Sequence, residues 1–72
     1  MRTIFCIGEQ KPRKGKKLLI RYKSRGKDGV LQEISLQIEN VKAVRKMKGV
    51  NGQQLYEFIT DTTHYYYQYL EK

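Results

Sequence analysis

Asp28-Gly29 and Asn51-Gly52 each stand between two runs rich in β-branched and aromatic residues. Such pairs reverse a chain tightly enough to bring the flanking strands together. Upstream of the first, residues 17–23 alternate Leu18, Ile20 and Tyr22 against Lys17, Arg21 and Lys23, with Leu19 the one exception. Downstream, residues 30–38 place Val30, Ile34, Leu36 and Ile38 on one face, interrupted by Gln32. Period two is the signature of a half-buried strand, so these runs are expected to pair antiparallel across a turn at residues 24–29.

The same reasoning extends along the chain. Residues 3–7 (Thr-Ile-Phe-Cys-Ile) form a short strand buried on at least one face and ended by Gly8. Residues 9–16 hold Pro12, Gly15 and four cations with no large apolar side chain, which is loop chemistry. A kink at Glu39-Asn40 leads to a strand at 41–47, and the second turn at 48–52 leads to another at 54–60. A helix over 35–48, capped by Ser35 and Gly49, is the rival, but Leu36, Ile38, Val41, Val44 and Met47 spread over more than half of its wheel. Aromatic density makes 64–70 a final strand, with a short helix capped by Asp61 as the alternative for 61–71. The fold class expected is mainly β: a small, bent, five- or six-stranded antiparallel sheet or barrel. Its order of hairpin, kinked link, hairpin and terminal strand resembles the general plan of SH3-like barrels.

Seventy-two residues supply one hydrophobic core, so the chain is read as a single domain. One cysteine, Cys6, allows no intrachain disulfide, and with His64 as the only histidine no Cys/His zinc constellation can be assembled. No metal and no cofactor are expected. The glycines are scattered, without a phosphate-cradling motif. No run of about 20 apolar residues is present to span a membrane. The chain is therefore expected to be cytoplasmic, in keeping with the unpaired thiol. Cys6 and His64, the one thiol and the one imidazole, are the only conceivable nucleophile pair, and Cys6 sits between Phe5 and Ile7 as a small apolar residue. Binding is favoured over catalysis, with a small ribonuclease as the minor enzymatic reading.

Charge carries the functional expectation. The chain holds 15 Lys and Arg against 7 Asp and Glu, a net charge of +8. Nine of the cations (Lys11, Arg13, Lys14, Lys16, Lys17, Arg21, Lys23, Arg25 and Lys27) fall within residues 11–27. Clustered cations gain affinity for a nucleic-acid backbone by releasing condensed counterions, without base-specific geometry. Lys14, Lys16, Lys17, Arg21, Lys23 and Arg25 are the expected contacts to DNA or RNA. A solvated face that keeps the protein soluble is the simpler alternative. On the last strand the parity of Leu70 directs Tyr66 inward and Tyr65, Tyr67 and Tyr69 outward, where they would stack on bases. The competing functional reading is an interaction or inhibitor module of the mobile-element or phage type. It would bind an acidic surface of a larger protein, or form a homodimer through an edge strand.

Overall fold

The computed structural model describes residues 1–70. It consists of strands alone: β1 (Arg2–Gly8), β2 (Leu18–Arg25), β3 (Leu31–Ile38), β4 (Ala43–Lys48), β5 (Gln54–Ile59) and β6 (Thr63–Tyr69). They form one sheet in the order β3-β2-β1-β6-β5-β4. Every neighbouring pair is antiparallel except β1 and β6, which run parallel with Ile4 beside Tyr65 and Cys6 beside Tyr67. The strand alternative is thus the one adopted for the segment after Asp61, and no helix occurs among the described residues. None is therefore long and apolar enough to cross a membrane.

Both hairpins close with the same device. Gly26 and Gly49 each donate to the carbonyl four residues ahead (Val30 and Gln53, 3.0 and 2.8 Å) and accept from the glycine three residues ahead. The loops are Lys27-Asp28-Gly29 and Val50-Asn51-Gly52, with φ of +81° at Gly29 and +75° at Gly52. A two-residue turn on Asp28-Gly29 would need positive φ at both residues, but Asp28 does not take it. A three-residue loop built on a type I turn needs the left-handed conformation only at its last residue. Asp28 instead accepts the Val30 N–H on its carboxylate at 3.1 Å.

The edges β3 and β4 are joined by residues 39–42 alone. From Ile38 to Ala43 the chain reaches at most about 18 Å, whereas six strands laid flat would separate the edges by about 24 Å. The sheet must curl. Asn40 turns the link with φ of +62°, a conformation asparagine tolerates. The curl stops short of closure, since β3 and β4 do not pair.

The inner face of the curl holds the core: Cys6, Leu18, Ile20, Ile38, Val41, Tyr56, Phe58, Tyr65 and Tyr67, with Ile4, Tyr22, Val44 and Tyr69 packed against it. Loop 9–17 lies over this core. Pro12 is buried, the Gly15 N–H donates to Val41 at 2.9 Å, and the Gln10 carbonyl accepts the Tyr67 hydroxyl at 2.5 Å.

The parity expected for the last strand is reversed. Tyr65 and Tyr67 are 5% and 1% exposed, whereas Tyr66 is half-buried on the opposite face. Leu70 lies beyond the strand, its N–H donating to the Gly8 carbonyl, so its apolar character says nothing about strand parity. Pairing on both sides decides it: β6 is central, and Tyr65 and Tyr67 align with Ile4 and Cys6 of β1 and with Phe58 and Tyr56 of β5.

Candidate nucleic-acid interface

Alternation puts the odd-numbered residues of β1 and β2 on the outer face of the sheet. On β2 these are Leu19, Arg21, Lys23 and Arg25, and the central strand β1 adds Phe5 and Ile7. Beyond them β6 contributes Tyr66 and Gln68, β5 Leu55 and Glu57, and β4 Arg45 and Met47, as the registers require. This outer face is not the polar surface that one-sided burial would leave. Phe5 is 74% exposed and stacks on Tyr66 with centroids 5.2 Å apart and planes 16° from parallel. His64 adds a third ring, 4.7 Å from Tyr66. Its Nε2 lies 3.4 Å from the Glu57 carboxylate but makes no hydrogen bond.

Beside the Phe5–Tyr66 stack the surface dips into a half-open cleft of about 520 Å³. Ile7, Met47 and Leu55 form its apolar walls, and Arg21, Lys23 and Glu33 line the side towards β3. Arg21 is occupied: its guanidinium is bonded to Glu9 and lies 3.7 Å from Glu33. Lys23 and Arg25 are exposed and make no ion pair with any described residue.

The basic segment therefore divides. Arg21, Lys23 and Arg25 share the outer face with the aromatic stack. Lys17, exposed at the mouth of β2, faces Glu39 at 3.6 Å. Lys14 lines a separate shallow depression with Asn40, Lys42 and Asp61, where Lys42 and Asp61 are paired. Lys16 is exposed on the same loop, bonded through its backbone to Arg13. Loop and strand cations do not converge on one groove, because burial of Pro12 and the bond from the Tyr67 hydroxyl to the Gln10 carbonyl draw the loop over the inner core. Lys11 sits 5.9 Å above the ring of Tyr69, the half-buried tyrosine of the inner face.

Of the tyrosines expected to stack on bases, Tyr65 and Tyr67 are enclosed, with Tyr65 against Phe58 at 4.8 Å and Tyr67 against Phe58 at 6.0 Å. Tyr69 turns its edge to Tyr56 at 6.5 Å. Phe5 and Tyr66 are the aromatic pair that solvent meets. The signal for Phe5 lies in residues 3–7, where Phe5 and Ile7 oppose Ile4 and Cys6 and leave Thr3 as the one polar side chain.

Burial pushes the Cys6 thiol up to about 12, which keeps it protonated and a poor nucleophile at neutral pH. No three His, Cys, Asp or Glu side chains gather into a possible metal site among the described residues. No protein-family model, curated protein or solved structure matches the chain.

Proposed function

We propose that the protein binds single-stranded nucleic acid across the outer face of its sheet, with Phe5 as the base-stacking surface and Lys23 and Arg25 as the principal backbone contacts. The observation that carries this reading is the Phe5 ring, 74% exposed on a central strand, backed by Tyr66 and lying beside Lys23 and Arg25, which form no ion pair among the described residues. An exposed ring on a pleated sheet offers every base a π-face, and adjacent cations follow the phosphates, a combination that is tolerant of sequence. Arg21 plays a supporting part, since Glu9 and Glu33 already offset its charge. Lys14 and Lys16 lie on the loop away from the stack and add long-range attraction rather than contacts at the cleft.

The apolar walls of the cleft support a second reading, in which an acidic protein inserts an aliphatic or aromatic side chain between Ile7, Met47 and Leu55. Titration of isotopically labelled protein with a short single-stranded oligonucleotide separates the two. Nucleic-acid binding should shift the resonances of Phe5, Tyr66, Lys23 and Arg25 and leave those of Tyr65 and Tyr67 in place. An unchanged spectrum at saturating oligonucleotide and low salt would leave the protein-binding reading standing alone.

A further inference from the structure

The sheet has two unpaired edges of opposite character. β4 carries Arg45, Lys46 and Lys48 among six residues, and charges of this kind keep strange strands away from an edge. β3 carries no Lys, Arg or Pro over its eight residues, and Glu33 is its one charge. No cation occurs between Lys27 and Lys42, so the strong positive charge of the chain is absent from this edge. Its register with β2 is unbroken from Arg25↔Leu31 to Leu18↔Ile38, so no bulge twists it out of reach. Leu31 and Leu36 remain 56% and 39% exposed.

The direction of the free backbone groups follows from the turn. Gly26 donates to Val30, so this pair is hydrogen-bonded, and in an antiparallel ladder such pairs alternate. Gln32, Ile34, Leu36 and Ile38 then bond to β2. The N–H and C=O groups of Leu31, Glu33, Ser35 and Gln37 point away from the sheet, where no strand of the described residues receives them.

We propose that two copies of the chain pair antiparallel along β3 about a two-fold axis at Ser35, joining their sheets into one. This register sets Ile34 of each copy against Leu36 of the other on the inner face. On the outer face it sets Glu33 against Gln37, with Glu33 already held by Arg21 at 3.7 Å. Moving the axis to Glu33 would oppose two carboxylates, and moving it to Leu36 would oppose Glu33 and Glu39, both unfavourable. The axis at Ser35 avoids both. The pairing is independent of the nucleic-acid reading, because it uses the backbone edge of β3 rather than Phe5, Lys23 or Arg25.

Sedimentation equilibrium without nucleic acid tests it, over concentrations from about 10 μM to about 1 mM, the range in which modest interfaces form. The expected mass rises to that of two 8.6 kDa chains. Ser35→Pro removes an N–H that faces away from β2 and should give a monomer, as proline is tolerated at such edge positions. Gln37→Glu, an exposed substitution, sets a second carboxylate against Glu33 of the other copy and should do the same. Ser35→Cys should oxidise to a covalent dimer, since opposed Cα atoms about 5.5 Å apart lie within disulfide reach. Phe5→Ala should leave the dimer intact. A single-chain mass at every concentration would overturn the proposal. So would a mass climbing past two chains, the mark of β3 pairing with β4 of the next copy.

Discussion

Tyr67 is the residue on which the fold most depends. Its ring is 1% exposed between Tyr56 and Phe58, and its hydroxyl ties the basic loop to the core through Gln10. Tyr67→Ala should cost about 3 to 5 kcal/mol, enough to unfold a domain of this size. Tyr66→Ala should cost much less, because that ring lies half in solvent. Chemical denaturation of the two variants measures the contrast, and equal losses would mean that both faces of β6 are covered. Burial also pushes the Tyr67 hydroxyl and the Cys6 thiol up to about 12, from 10.0 and 9.0. Both groups are neutral when folded, and their folded values lie above the unfolded ones. Their contribution to stability is therefore complete below pH 9 and is lost as pH rises towards about 12. The thermal midpoint should fall through that window, and Cys6→Ala should remove the part of the fall that begins near 9. A profile identical to that of the parent would contradict the burial of the thiol. The facing of the tyrosines was not readable from residues 64–70, because four tyrosines in five positions present no contrast between the two faces. In β2 and β3 the contrast between Leu or Ile and Lys, Glu or Gln was sharp, and there the inner face was readable.

At the scale of elements, local chemistry explains the hairpins and little else. Gly29 and Gly52 have no heavy atom near an added Cβ, so alanine there meets only the cost of a left-handed backbone, about 1 to 2 kcal/mol. Asparagine, which tolerates that conformation, should cost less at either site. Gly8 differs: a Cβ would run into the Tyr67 hydroxyl and come within 2.9 Å of the Leu19 carbonyl. Gly8→Ala should therefore destabilise more than Gly29→Ala, and thermal melts of the two variants decide it; the reverse order would show that the β1–β2 junction gives way easily. These turns were readable because their signals lie next to the strands they join. The parallel pairing of β1 with β6 was not, since it joins the two ends of the chain with no turn between them to announce it. The same pairing makes β6 a central strand and so buries Tyr65 and Tyr67.

At the scale of the whole molecule, the curl imposed by the short link between β3 and β4 gives the sheet two unlike surfaces. The inner one is closed by loop 9–17, which draws Lys14 and Lys16 away from the strand cations. The outer one exposes Phe5 beside Lys23 and Arg25. Net charge and the clustering of cations were readable from the sequence, but the division of the cluster was not, because it follows from the burial of Pro12 and the bond of the Gln10 carbonyl to Tyr67. Fluorescence anisotropy of a labelled single-stranded oligonucleotide, titrated with the parent, Phe5→Ala and the double variant Lys23→Glu/Arg25→Glu, tests the outer face most directly. The parent's affinity should fall steeply between about 50 and 200 mM salt, as counterion release requires. Phe5→Ala should weaken binding by about 1 to 3 kcal/mol with the salt slope unchanged. The double variant should lose binding together with much of the slope, while its circular dichroism matches the parent's. Affinities and salt slopes that coincide for all three proteins would contradict the account.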